Sequence, residues 1–412
     1  MSKLQELIQR LCPDGVEYKK LGEVCKVVNA PKKLNKKDYQ DIGLYPIIDQ
    51  GKSMIVGYTN DRDVLLPAKE YVLFGDHTRN IKYYNGTFAQ GADGLKILIS
   101  KDIVLTRFLY YSMQCLTIED RGYNRHWSVV SPLPVPVPPL EVQEEIVRIL
   151  DRFDVYAAEL QAELQARKEQ YEYYRNLLLT FNPAGCAGEA DDEQEGSVTT
   201  WGGHSYPIQW KTMGEVIKSL NTGLNPRQFF RLNTVDAECF YVTIREIRNG
   251  RITINDKTDR INQKALQLCN NRSNLEKFDI LFSGTGTIGQ VAVIQHTPKN
   301  WNIKEGVYAI KPKLSEINPF FLRYILESSK IKESIFKKVA GGTVQSIPMK
   351  DLNSIIIPVP PLELQEKIVA VLDRFETLVN DLSEGLPAEI AAVKEQYEYY
   401  RNRLLTFKEK TA

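Results

Sequence analysis

The residues whose types and spacing could do chemistry fall in a few short stretches. Phe74-Gly75-Asp76-His77-Thr78-Arg79 sets a carboxylate, an imidazole, a hydroxyl and a guanidinium on one loop. Acid–base or metal chemistry would need a second carboxylate cluster or further ligands, and the chain's four histidines do not assemble one. The set is better suited to offering donors and acceptors to base edges or phosphates; the plain alternative is an ordinary turn with an Asx-type cap. Arg121, Arg125, His126 and Trp127 form a second basic and aromatic cluster, and Lys52 is a further candidate cation. Arg245, Arg248 and Arg251 repeat the theme later in the chain, with Lys337, Lys338 and Gln345 beyond them. Clusters of charge are usually solvated surface, so composition alone does not say which of these touch a ligand.

Ser283-Gly284-Thr285-Gly286-Thr287-Ile288-Gly289 contains a GxGxxG pattern behind an apolar run. A dinucleotide or S-adenosylmethionine site of that type needs a helix to follow, whose N-terminus receives the phosphate or carboxylate. Gln290-Val291-Ala292-Val293-Ile294 follows instead, and its β-branched content predicts a strand. Thr285 and Thr287 are then polar groups on a glycine turn, in a tight hairpin or beside DNA. The sequence has no Walker loop, no Asn-Pro-Pro-aromatic motif and no metal-ligand array. The six cysteines are scattered without a CxxC pair, which argues against a disulfide framework and a zinc cluster. With no apolar run of membrane-spanning length and no secretory signal at Met1 to Arg10, a cytoplasmic protein is expected.

The elements that must position these residues are organised by an internal repeat. Pro136-Val137-Pro138-Pro139-Leu140-Glu141-Val142-Gln143-Glu144 recurs as Pro358-Val359-Pro360-Pro361-Leu362-Glu363-Leu364-Gln365-Glu366. Leu150-Asp151-Arg152-Phe153 recurs at Leu372 to Phe375, and Lys168-Glu169-Gln170-Tyr171-Glu172-Tyr173-Tyr174-Arg175-Asn176 at Lys394 to Asn402. More faintly, Leu21-Gly22-Glu23-Val24 is echoed by Met213-Gly214-Glu215-Val216. Between the repeats lie two stretches with little mutual resemblance, each alternating short apolar runs with turn signals. Strands are expected at 44–48, 71–74 and 95–99 with a helix at 106–114, then strands at 240–244, 279–282 and 291–294 with a helix near 319–328. The fold class is α+β: two mixed heads, residues 1–135 and 206–354, joined by helical copies at 136–181 and 355–412. Residues 182–205, acidic and poor in large apolar side chains, read as a flexible linker.

Each helical copy carries apolar residues at gaps of three, four and seven, from Val142 through Ile146, Leu150 and Phe153 to Leu178. A helix from Glu141 to Phe181 would run on the order of 60 Å and needs a partner for its stripe; the second copy is the obvious one. The chain returns from the second head, so the expected pair is an antiparallel coiled coil with pseudo-twofold symmetry. The second copy contains Gly385 and Pro387, which should break it. The first contains a tandem Ala-Glu-Leu-Gln, at Ala158 to Gln161 and Ala162 to Gln165, which reads as a helical spacer or simply as good helix-forming sequence.

Charge follows the same division. Residues 15–131 carry 17 Lys and Arg against 13 Asp and Glu, and residues 206–354 carry 22 against 13, while the helical copies and the linker are acidic. The heads therefore carry the electrostatic footprint of a polyanion partner, although the chain as a whole is only +1.

The order and content of these blocks resemble the specificity subunit of type I restriction–modification enzymes. The resemblance rests on the doubled Pro-Pro-Leu-Glu-x-Gln-Glu and Lys-Glu-Gln-Tyr-Glu-Tyr-Tyr-Arg-Asn blocks. Tyr45 to Gly51, Phe74 to Arg79, Gly91 to Gly94 and Ser283 to Gly289 look like motifs of that family's target-recognition domains. It implies double-stranded DNA as partner, read as two half-sites separated by an unspecified gap. It also implies two methyltransferase subunits and added restriction/translocase subunits, with S-adenosylmethionine, ATP and Mg in those partners and no catalysis in this chain. Tyr171, Tyr174, Tyr397 and Tyr400 are readable either as docking contacts or as helix seam. The competing readings are an S-adenosylmethionine-dependent enzyme and a coiled-coil scaffold whose heads bind protein.

Overall fold

The computed structural model describes residues 2–181, 197–341, 344–381 and 385–410. Contacts divide the chain into two compact units, residues 1–162 with 389–412, and residues 163–388. This differs from the five segments expected from the repeat. Each unit combines one head with part of each helical copy, because the apolar stripe of each helix begins by packing on its own head.

In the first unit a six-stranded sheet runs in the order Cys25–Val28, Leu95–Ser100, Leu65–Gly75, Ile81–Gln90, Tyr45–Ile48, Gly57–Thr59. All pairings are antiparallel except Tyr45–Ile48 with Ile81–Gln90. The helix Thr106–Gln114 buries Phe108, Leu109, Tyr111 and Met113. Val142, Ile146 and Leu150 of the first long helix, Leu140–Leu178, complete the same core and are fully buried. Leu21–Val24 forms one helical turn whose Leu21 and Val24 are fully buried, and the strands Glu17–Lys20 and Pro134–Val137 pair beside it.

The second unit repeats this frame around a different interior. Met213–Val216 is again one helical turn, and His204–Thr212 pairs with Ile356–Val359 as Glu17–Lys20 pairs with Pro134–Val137. The head itself holds a four-stranded sheet, ordered Ile217–Thr222, Val307–Pro312, Ile280–Ser283, Val291–Val293, and a three-stranded one, Arg260–Ile261, Cys239–Val242, Trp301–Ile303. The expected linker is corrected here: Ser197–Trp201 and His204–Thr212 form an antiparallel hairpin, with the turn at Gly202 and Gly203. The rest of that segment, 182–196, lies outside the described residues. The second helical copy is broken as its glycine and proline require, into Leu362–Asn380 and Leu386–Leu404.

Two sets of contacts join head to helix, once in each unit. Gln143 is fully buried; its Nε2 donates to the carbonyls of Ile103 (2.9 Å) and Pro138 (2.7 Å), and its Oε1 accepts from Leu105 N–H (2.9 Å). Gln365 does the same with Glu316 (3.0 Å), Pro360 (2.7 Å) and Asn318 N–H (2.7 Å). Two to three turns farther along, Asp151 and Asp154 accept from Arg107 Nε and Nη2 (both 2.7 Å) and from the Tyr111 hydroxyl. Asp373 and Glu376 receive the Tyr324 hydroxyl (2.6 and 3.2 Å), and Arg323 donates to Glu376. Carboxylates three residues apart lie on one helix face, so a single head helix can engage both. Burial pushes Asp154 and Asp373 above the usual aspartate value.

Gln365→Leu leaves one amide and two carbonyls without their partner. It is expected to lower unfolding free energy in urea by about 3 kcal/mol. Glu145, buried in the first unit, is held at a pKa of about 2 by hydrogen bonds from Arg148 and Lys3. A depressed carboxylate stabilises above its unfolded pKa and loses that contribution as pH falls through the folded one. The stability difference between the native chain and Glu145→Gln should therefore be largest above pH ~5 and shrink toward pH ~2.

Candidate nucleic-acid interface

In the first head the structure gathers the three motif stretches into one loop platform. The Gln50 side chain accepts from His77 N–H (3.1 Å) and donates to the Asp93 carbonyl (3.1 Å), while Asp76 N–H donates to the Gly94 carbonyl (2.6 Å). Gly94 has φ +95°, and a Cβ there would lie 2.6 Å from the Gln50 amide. Lys82 is buried beneath, donating to the carbonyls of Asp49 (2.9 Å) and Ser53 (2.5 Å), and burial pushes its pKa down.

Several candidate residues are spent on this platform. His126 is fully buried: its Nε2 accepts from Arg121 N–H (3.3 Å), so Nδ1 carries the proton and donates to the Asp76 carbonyl (2.9 Å). Both ring nitrogens are occupied, which removes His126 from the expected DNA contacts. Asp76, 2% exposed, accepts from Trp127 N–H (2.7 Å). The Thr78 hydroxyl donates to the Gln50 carbonyl. Arg79, at φ +61°, donates to the Ile118 carbonyl (3.2 Å) and to Asp120 (2.7 Å). These bonds anchor the loop 118–127, on which Arg121 and Arg125 stand exposed. Lys52 is exposed, and His77 stacks on Tyr123 with ring centres 4.6 Å apart. Tyr123 is 82% exposed and was missed in sequence; its place between Arg121 and Arg125 was the available signal.

The second head brings together only some of its candidates. The glycine turn closes a hairpin between Ile280–Ser283 and Val291–Val293; the Ser283 hydroxyl donates to the Thr287 carbonyl (2.6 Å) and accepts from Gln290 N–H (2.7 Å). A strand thus follows the GxGxxG, as its residues predicted. Thr285 pairs with Ser346, and Gly286 N–H donates to the Gln345 carbonyl (2.9 Å). Thr285 and Arg245 line a groove of about 870 Å³, along with Thr222, Thr243, Lys304 and Tyr308, which sequence reasoning did not single out. Arg248 and Arg251 line a separate recess with Glu376 and Asp381; Arg251 donates to Asp381 (3.4 Å). Lys337 pairs with Glu333 (2.9 Å), and Lys338 donates to the Ser354 hydroxyl (3.1 Å).

This arrangement has the architecture of a known family. The model of the type I restriction modification DNA specificity domain matches residues 13–169 and 207–392. The chain belongs to the type I specificity-subunit family. The EcoR124I/EcoR124II specificity subunit of Escherichia coli is 33% identical, over 99% of this chain and 98% of that one. The fold matches the S subunit from M. genitalium, with a TM-score of 0.52 at 16% identity, over 95% of this chain and 96% of that one. It also matches a chain from a study of complex assembly and conformational transition in the type I R-M system, with a TM-score of 0.54 at 17% identity, over 96% and 98%. As a specificity subunit the protein is non-catalytic and binds DNA. Among the described residues no helix is long and apolar enough to cross a membrane.

Within the specificity subunit the tyrosine blocks serve the helix–helix and helix–head contacts. Tyr171 is 7% exposed, which selects the seam over the docking contact among its two expected roles: burial leaves it almost no free surface. Tyr174 stacks on Phe375 (5.6 Å), Tyr397 donates to Gln114 (2.9 Å), and Tyr400 stacks on Phe153 (5.6 Å) while remaining half exposed. Tyr173 and Tyr399 are the most exposed tyrosines of these blocks, at 63% and 57%.

His126→Ala is expected to cost about 2 kcal/mol in urea unfolding and to open the 118–127 loop to limited proteolysis. Arg125→Ala should leave stability within about 0.5 kcal/mol.

Proposed function

We propose that this specificity subunit reads a bipartite double-stranded DNA site, one half-site per head, separated by an unspecified gap. In this reading the helical copies run as an antiparallel coiled coil with pseudo-twofold symmetry. They dock two methyltransferase subunits, to which restriction/translocase subunits add in the cytoplasm. S-adenosylmethionine, ATP and Mg belong to those partners.

The observation that carries the reading is the recurrence of one head-to-helix contact set, Gln143 with Asp151 and Asp154, then Gln365 with Asp373 and Glu376. Two equivalent surfaces suit two copies of one partner, and two equivalent mountings suit the pseudo-dyad of duplex DNA. The antiparallel pairing is supported in the first unit by contact order: Phe153 stacks on Tyr400, whereas Tyr156, farther along, donates to the earlier residue Glu389 (2.6 Å).

The test is selection of bound duplexes from a randomised pool by the chain co-expressed with its methyltransferase partner. Two short enriched blocks at a fixed random gap are expected. Binding without enrichment, and without the steep salt dependence of phosphate contacts, would favour a scaffold whose heads bind protein. Deleting Ala158 to Gln161 removes about 6 Å of helix and should shorten the gap; a pool with the original gap rejects the spacer role.

A further inference from the structure

The groove of the second head has a volume of about 870 Å³, and its charge says what it can hold. Arg245 and Lys304 line it against Asp259 and Glu305, so the lining has no net charge with which to retain phosphates. What it offers is polar side chains: the hydroxyl residues Thr222, Thr243, Thr285 and Ser346 line the same groove as the Arg245 guanidinium. That is the chemistry of base-edge reading rather than backbone binding.

Arg245 is set up for that task. It lies in a short 3-10 turn, Ile244–Glu246, capped by Thr243, whose hydroxyl donates to Glu246 (2.8 Å). The Thr243 oxygen also accepts from Arg245 Nε (3.3 Å), and Asp259 accepts from Arg245 Nη2 (2.6 Å). Asp259 is held in turn by Asn233 Nδ2 on its other oxygen (3.0 Å). The guanidinium is thus gripped on its inner edge. Among the described residues Nη1 has no hydrogen-bond partner, and the side chain is 55% exposed. The outer end keeps two N–H donors side by side, one from Nη1 and the second hydrogen of Nη2, whose first goes to Asp259. Beside it Gly286, at φ +81°, has nothing within 4 Å of a would-be Cβ, so the rim is open to a close-approaching ligand.

Guanine presents two adjacent acceptors, O6 and N7, in the major groove, and a braced end-on guanidinium matches them. We infer that Arg245 is a specificity-determining residue of the second head, reading a guanine of its half-site through O6 and N7. This rests on the bipartite-reader function proposed above and deepens it.

The experiment repeats the duplex selection with the assembled complex carrying Arg245→Ala or Arg245→Gln. The native pool should contain a guanine in one block that Arg245→Ala converts to no preference. Affinity for the native site should fall about tenfold to a hundredfold, with the other block unchanged. Arg245→Gln, whose amide pairs with adenine N6 and N7, should shift the same position toward adenine. A guanine retained by both variants overturns the inference, as does a lost preference at a position that was not guanine. A native pool with no bipartite enrichment sinks the reading on which the inference stands, and the inference with it.

Discussion

Everything in this protein hangs on the join between a variable head and a constant helix. A recognition surface is only useful if its angle to the supporting helix is fixed, and here that angle is fixed by buried and half-buried polar contacts as well as by apolar packing. A fully buried glutamine bonds two backbone groups of the head and one at the start of its own helical copy, and a carboxylate pair two to three turns later accepts a tyrosine hydroxyl and a guanidinium. Such contacts are directional. They lose their full value if the head rotates by a few degrees, whereas an apolar patch tolerates sliding. The guanidinium comes from different positions in the two heads, Arg107 before Phe108 in one and Arg323 after Leu322 in the other, yet it reaches the same face of its helix. The constraint is the carboxylate pair, and each head meets it in its own way.

The second join is tightly enclosed. Arg323 is 5% exposed on its side chain and pairs with Glu376 and Glu327, and burial pushes Glu327 above the usual carboxylate value. The hairpin turn at Asn249 and Gly250 covers it so closely that a Cβ on Gly250 would meet the guanidinium. The turn carrying Arg248 and Arg251 is therefore tied to the mounting itself. This is why those two arginines lie near helix carboxylates and not in the groove with Arg245.

Much of this was legible in the sequence. Helical periodicity and the repeated blocks located the first long helix to within three residues and the second copy more loosely, and the β-branched run after the GxGxxG correctly indicated a strand instead of a nucleotide-binding helix. The helix Thr106–Gln114 fell where expected. The linker was misread at its end because Ser197 to Trp201 gains its strand only by pairing with His204–Thr212, a partner that composition does not reveal. His126 was misread, and Tyr171 stayed open between docking contact and helix seam, because a polar or aromatic residue in a basic or repeated stretch looks the same whether it faces solvent or is buried.

The sequence by itself determined the duplicated plan, the class of each head, the break at Gly385 and Pro387, and the family. Each depends on local pattern, spacing or order, which the chain carries in one dimension. Only the tertiary structure decided which charged side chains are spent internally and which remain free. Arg79 and Arg125 are indistinguishable by type, yet one bonds Ile118 and Asp120 while the other stands exposed. Arg245 differs from Arg251 only because Asp259 and Thr243 reach it from elsewhere in the fold. Partner choice among side chains is a matter of distance in three dimensions, so it becomes readable only when the loops have been brought together.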